Sequence, residues 1–328
     1  MALAELKVYN EFLYTATTEI LDQQINLFNE ASQGTITLRS SAHLGDFSDT
    51  VFYAKIADLV RRRNVYTQGN INTKTFEHLV DTSVKVAAGT PQIEMQPSQW
   101  TWIQRNPEEA AAVLAQQLAP DMLADMLNTA LGACVSALAS QPKVYTDVTG
   151  SAVAEDKLMN LGNLVRAAGK FGDRQNAIRV WVMHSGPLTT MYLNAVNNLQ
   201  RLFVFGTVNI YSDGFGRVFI VTDSPSLMNT TVGGDIDAYY TLGLSTQAIY
   251  VGQNNDWDTA SEEKTGRENI LRYWQAEWTY NLGIQGFAWD KVTGGKSPND
   301  AAIMASANWD RTATSHKDLA GVLLKTSA

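Results

Sequence analysis

The segment 106–142 constrains this chain more than any other. Asn106-Pro107-Glu108-Glu109 has the makings of a helix start. Asn can cap free amides, Pro fits the first helical position, and two carboxylates face the positive end of the helix dipole. An apolar stripe follows through Leu114, Leu118, Leu123, Leu127, Leu131, Val135 and Leu138, and Ser140-Gln141-Pro142 ends it. At 1.5 Å per residue this predicts a rod of about 50 Å, around which the rest of the chain has to be arranged. Pro120 lies inside it and predicts a kink or a split.

Upstream, Leu3, Leu6, Tyr9, Leu13, Ala16, Ile20, Leu27 and Phe28 recur at helical spacing, and Ser32-Gln33-Gly34 stops that helix. Residues 35–40 alternate as a short strand. Ser48 is placed to cap a second helix running through Val60 and ending in Arg61-Arg62-Arg63. Residues 64–105 read as a long, mostly non-helical excursion, with strand-like alternation at Val84 and Val86 and with Pro91 and Pro97 keeping the chain extended. Downstream, 156–171 reads as a helix, followed by an α/β alternation: strand 178–183, helix 187–199, strand 203–211, a turn at Asp213-Gly214, strand 218–222 and strand 246–251. Residues 253–267 are polar and loop-like. Residues 268–290 read largely as one long strand, because Trp274, Trp278, Tyr280, Leu282 and Ile284 share one parity. The segment from 293, opening on Gly294-Gly295 and Pro298, reads as a peripheral tail.

The composition narrows the function. Lys plus Arg is 25 against 33 Asp plus Glu, a formal charge of −8, which argues against a protein built to coat nucleic acid. Hydrophobic residues make up 45% and charged residues 18%, the balance of a packed fold. One cysteine excludes a disulfide framework and a multi-cysteine zinc site. Met1 to Asn10, with Glu5 and Lys7, does not form a signal peptide. The uncharged stretch Met126 to Pro142 falls short of the roughly 20 apolar residues a membrane helix needs.

A search for chemistry returns no catalytic, cofactor or metal constellation. His43, His78, His184 and His316 stand far apart. Cys134 lies on the apolar side of the long helix with no nearby cation to make a thiolate. Gly162 to Lys170 fails as a phosphate loop, because Phe171 stands where Ser or Thr is needed. Asp256 and Asp258 fail as a calcium loop, with Ser261 and Arg267 where Gly and Glu belong. Asp235 and Asp237 read as a solvated turn. An α/β hydrolase or transferase using His184 or Ser185 is an alternative, but Met183-His184-Ser185-Gly186 lacks the first glycine of a nucleophile elbow. A ligand-binding protein using the late tryptophans is a second. Arg61-Arg62-Arg63, the densest basic patch, reads either as a solvated helix end or as an electrostatic contact to a neighbouring subunit, with contact to DNA a third reading that the overall acidity disfavours.

Three stretches together resemble the major capsid proteins of tailed bacteriophages, with the Hong Kong 97-type fold. They are Trp181-Val-Met-His-Ser-Gly-Pro-Leu-Thr-Thr-Met-Tyr192, Asp213-Gly-Phe-Gly-Arg-Val-Phe-Ile-Val-Thr-Asp-Ser-Pro225 and Thr241-Leu-Gly-Leu-Ser-Thr-Gln-Ala-Ile-Tyr-Val-Gly252. The likeness is greatest to coat proteins of short-tailed phages and extends over residues 1 to about 292. It implies a mixed α+β fold. Residues 1–63 would be an amino-terminal arm and helices, 64–105 an extended loop region lying over a neighbour, and 106–149 the spine helix of a peripheral domain. Residues 150–252 would form an axial domain, 253–292 a long strand returning to the peripheral domain, and 293–328 a carboxy-terminal tail. The implied function is self-assembly into hexamers and pentamers of an icosahedral shell around double-stranded DNA, without catalysis or cofactor. The implied place is the virion, after assembly in the host bacterial cytoplasm. The implied partners are further copies of the chain, a portal, a decoration or cement protein, packaged DNA by weak contact only, and a scaffold expected to be a separate protein because no long charged helix precedes the fold.

Overall fold

The computed structural model describes all residues except 1, 41, 42, 44, 54–61, 67, 72, 74, 76, 77, 194–199, 206, 207, 213–217, 231–233, 267 and 269. In chain order, helix α1 (Ala2–Ala31) leads into β1 (Ile36–Ser40), β2 (Phe47–Tyr53), β3 (His78–Gly89) and β4 (Ile93–Met95). Helices α2 (Pro97–Arg105) and α3 (Pro107–Ala139) follow, then β5 (Tyr145–Asp147), α4 (Ala154–Lys157), α5 (Leu161–Ala168), β6 (Val180–Met183) and α6 (Ser185–Leu193). The next run is all strand: β7 (Gln200–Phe205), β8 (Val208–Ser212), β9 (Val218–Thr222), β10 (Met228–Thr230), β11 (Ile236–Leu244), β12 (Ile249–Gln253), β13 (Asp258–Lys264), β14 (Leu271–Ile284) and β15 (Phe287–Trp289). The chain ends with α7 (Asp300–Ile303), β16 (Trp309–Arg311) and β17 (Gly321–Ser327).

Helix α3 runs unbroken through Pro120, so the expected split does not occur. Its Ala110, Ala111, Ala115 and Ala119 are buried, and further on Met122 to Leu138 are buried around most of the circumference. It packs along helix α1. The helix is long and apolar enough to cross a membrane, yet 72% of its most apolar window is buried inside the protein, which marks it as a core helix. Pro107 stands at its first turn with Glu108 and Glu109. Asn106 caps differently from the expectation: its amide donates to Glu109 Oε2 at 3.1 Å instead of accepting from the free backbone amides. Cys134 is fully buried, and burial pushes its thiol pKa up to about 12. Cys134→Ala should therefore cost stability by only ~1 kcal/mol, the loss of one small apolar contact. Thermal melts should show that modest drop, and a variant that no longer folds would refute it.

Helix α1 buries Tyr9, Leu13, Leu21, Ile25 and Phe28 on one stripe. It stops where Gln33 and Gly34 take positive φ, 53° and 65°, and Gly34 N donates back to Asn29 O, a left-handed termination that glycine allows at little cost. Asn29 then clamps β1, donating to Leu38 O at 2.7 Å and accepting from Leu38 N at 2.9 Å.

Two sheets divide the strands. In the nine-stranded sheet β14 is central. One side of it carries β12 and β13, the other β3 and β4, all antiparallel to it. Parallel β1 lies outside β12, and β2 lies outside β3. Trp274, Ala276, Trp278, Tyr280, Leu282 and Ile284 are buried, so the predicted parity of the long strand holds. The eight-stranded sheet runs β5, β17, β11, β6, β9, β8, β7, with β10 also on β11. The chain passes from β11 of one sheet to β12 of the other through Ser245. Its hydroxyl lies 2.9 Å from Ala320 O and 3.2 Å from Gln285 Oε1, tying both sheets at the crossing.

Several expectations are corrected. Ser48 starts no helix: residues 47–53 form β2, paired with β3 from Phe47↔Val84 to Tyr53↔His78, and the rest of the expected helix lies outside the described residues. Pro97 does not keep the chain extended. It opens α2, with Gln96 N donating to Gln99 Oε1 in a capping box. The 156–171 helix is interrupted by Leu158-Met159-Asn160, and Asn160 caps α5 through Asn163 N. The 203–211 strand is two strands, β7 and β8, paired antiparallel. The helix 187–199 begins at Ser185, and its end, like the turn at Asp213-Gly214, lies outside the described residues. Residues 253–267 are not simply a loop, since they include β13. The segment 293–328 is not a peripheral tail. Its β17 sits between β5 and β11 with Val322, Leu323, Leu324 and Thr326 buried. At Gly321 an added Cβ would lie 2.0 Å from Gly243 O, so only glycine fits this close strand approach.

Candidate assembly surfaces

Strands β2 and β3 form a hairpin anchored at one end and open at the other. At the base Phe47 faces Val84, which is fully buried. Asp49 accepts from Thr82 Oγ1 at 2.8 Å and from Lys291 Nζ at 2.7 Å, and these partners, the lysine first, hold its carboxyl below the usual range. Asp46 pairs with Lys296 at 2.9 Å, and Thr312 donates to Asp81. Toward the far end the cross-strand pair Val51↔Val80 is exposed, Val51 by 59%. The chain between the strands carries Val65 at 73% and Tyr66 at 96% exposure, with Ile71 also in the open. A connection of this kind displays apolar side chains that no described residue covers. Arg61 lies outside the described residues. Arg62 and Arg63 lie immediately before these apolar residues, exposed and without regular structure.

The cluster at His184 has another task. Ser185 N donates to Asp223 Oδ1 at 3.2 Å, and Gly186 N donates to His184 Nδ1 at 3.1 Å, so both side chains satisfy free amides at the start of α6. With Nδ1 accepting, Nε2 carries the proton toward Asp223, 3.4 Å away. The Ser185 hydroxyl hydrogen-bonds Asp223 and holds its carboxyl below the usual range. That arrangement fixes α6 to the end of β9, and Ser185 Oγ also lies 3.4 Å from His184 Nδ1, which already accepts from Gly186 N. The ring also lies 5.0 Å from Tyr239.

Four of the late tryptophans are core residues, and the fifth, Trp257, is half-buried against them. Trp274, Trp289 and Trp309 are buried, and their indole N–H groups donate to Asn10, Gly295 O and Ile303 O. Trp257 stacks on Trp278 with centroids 5.4 Å apart. Gly162 to Lys170 lies on α5 and the 3-10 turn after it, not on a phosphate loop. Asp256 spends its carboxylate on Thr279, whose N donates at 2.8 Å and whose hydroxyl donates as well, and on Lys85 at 3.6 Å. Asp235 and Asp237 are exposed.

Comparison with known proteins then bears on the two-sheet body and its hairpin. A family model described as Major capsid protein 13-like matches residues 5–323. The chain belongs to this family. The match reaches into β17, beyond the limit near 292 that the sequence resemblance set, as the structure requires. Among solved structures, the cyanophage Pam1 capsid asymmetric unit is 11% identical, covers 89% of this chain and 88% of its own, and superposes with a TM-score of 0.50. The capsid of Ralstonia phage GP4 is 10% identical over 90% of this chain and 88% of that one, with a TM-score of 0.48. No curated protein sequence matches. This capsid protein therefore has the mixed α+β Hong Kong 97-type fold. It is a structural coat protein that assembles with copies of itself into the icosahedral capsid of a tailed phage, and its place is the virion.

Proposed function

We propose that the β2–β3 hairpin and its connection form the extended loop that reaches a neighbouring subunit, and that Arg61, Arg62 and Arg63 meet carboxylates there. In this reading the nine-stranded sheet with α1 and α3 is the peripheral domain, α3 is the spine, and the eight-stranded sheet is the axial domain at the centre of hexamers and pentamers. The observation that carries it is the exposure of Val65 and Tyr66 beside Arg62 and Arg63, on a chain with formal charge −8. Adjacent cations on an acidic protein find their counter-charges on another copy without nucleic acid. The coat protein acts by assembly and not by catalysis, and its contact with packaged DNA is weak. A separate scaffold, a portal, a decoration or cement protein and assembly in the host bacterial cytoplasm rest on the resemblance alone.

Each exposed ion pair contributes only about 0.2–1 kcal/mol, but a closed shell repeats it in every subunit. Replacing Arg61, Arg62 and Arg63 together by Gln should lower empty-shell yield and flatten its dependence on salt, since screening acts over roughly 8–10 Å at ordinary ionic strength. Curves of empty-shell yield against salt decide it. Identical curves for both proteins would refute the contact, and normal empty shells with impaired DNA retention would place the arginines on DNA instead.

A further inference from the structure

Strand β13 is the other conspicuous surface. It pairs with β14 along one side only, from Asp258↔Glu277 to Lys264↔Leu271. Among the described residues no strand pairs with its other side. Six of its seven residues, Asp258, Ala260, Ser261, Glu262, Glu263 and Lys264, are exposed, so both faces as well as the outer edge are open. An open edge offers every second N–H and C=O to an incoming extended segment. Charge decides which segment. Glu262 and Glu263 are neighbours in a strand, so one carboxylate stands on each face. Glu263 reaches Arg272 Nε at 2.8 Å, and Glu262 makes no ion pair with any described residue. Two copies of this edge laid together give Glu262 and Glu263 no counter-charge: in parallel register they face their own kind, and in the antiparallel register centred on Ser261 they face Ala260 and Thr259.

Arg62 and Arg63 have the complementary pattern. They are adjacent, exposed and outside any helix or strand, ahead of a turn at Val65-Tyr66 in which Tyr66 N donates to Asn64 Oδ1 at 3.0 Å and which opens on docking, so in an extended pairing they would also point to opposite faces. The geometry points to β13 as the receiving edge for the 62–66 segment of a second copy, its main chain extending the nine-stranded sheet and its two guanidinium groups straddling the edge onto Glu262 and Glu263. This rests on the proposed reach of the extended loop and names the surface it reaches.

Charge exchange tests it on the full-length protein. Three variants are needed: Glu262→Arg with Glu263→Arg, Arg62→Glu with Arg63→Glu, and all four together. Each pair alone should cut shell yield at least fivefold at low salt, and the fourfold variant should recover to within twofold of the parent. If the arginine reversal hurts while the acid reversal is silent, the loop reaches a different surface and this inference is overturned while the proposed reach stands. If both are silent, both fall. A fourfold variant as defective as either pair also overturns the pairing. Should a reversal impair folding, Arg63→Cys with Glu262→Cys replaces it, on a background where Cys134 is buried. Oxidised shells should then give a ladder of covalent multimers, and shells without a ladder would overturn the assignment.

Discussion

Ending the chain at Leu319 should abolish cooperative folding of the eight-stranded sheet, although it removes only nine residues from the end of the sequence. β17 lies between β5 and β11, parallel to the first and antiparallel to the second. Its loss strips backbone partners from both and exposes the surfaces that Val322 and Leu324 cover on one face and Leu323 on the other. Burying a Val or Leu side chain contributes about 1.5–3 kcal/mol, so three give roughly 5–9 kcal/mol. That is comparable to the whole stability of an ordinary domain, about 5–15 kcal/mol. The truncated protein should be insoluble or rapidly digested, with no sharp thermal transition from this part. A soluble protein melting at the parental temperature would show that β17 is dispensable.

Helices α1 and α3 and strand β14 are legible in the sequence because each carries one period over many residues and packs one face or several against a core. The elements that escape the reading lack such a signal for identifiable reasons. β2 and the outer part of β3 project as a hairpin, so Val51 and Val80 are exposed and neither face has to be apolar. β13 is a free edge open on both faces, and Asp-Thr-Ala-Ser-Glu-Glu-Lys has no alternation to detect. Pro97 illustrates a shared signal with two outcomes: the same residue type that opens α3 at Pro107 opens α2, and only the Gln96–Gln99 exchange marks it as a helix start. β17 could have been found. Val322-Leu323-Leu324 is the short continuous apolar run of a strand buried on both faces, masked by the Gly- and Pro-containing stretch before it. The surfaces follow the same rule. Arg62 and Arg63 stand out as a charge run, whereas the acids of β13 gain meaning only when the open edge beside them is seen.

Deleting residues 54–77 and joining Tyr53 to His78 through Asn-Gly should leave a folded, soluble subunit that forms no closed shells. Tyr53 and His78 face each other at the last rung of the β2–β3 ladder, and a two-residue Asn-Gly turn is the connection that an antiparallel pair of this kind accepts with least strain. Among the described residues, the ties that hold the base of the hairpin lie on the retained side: Asp49 with Lys291, Asp46 with Lys296, Asp81 with Thr312 and the pairing of β3 with β14. The contrast is a deletion of 66–96. A boundary drawn at 64–105 makes that segment look dispensable, but it removes β3 and β4, which cover one side of β14, together with buried Val84, Val86 and Met95. That variant should not fold, losing about 5–9 kcal/mol from those three side chains alone. Circular dichroism with thermal melting separates the two deletions, and negative-stain microscopy reads assembly in the one that folds. Closed shells of normal size from the 54–77 deletion would remove the extended loop from the assembly contacts, and a cooperative melt from the 66–96 deletion would contradict the central place of β3 in the nine-stranded sheet.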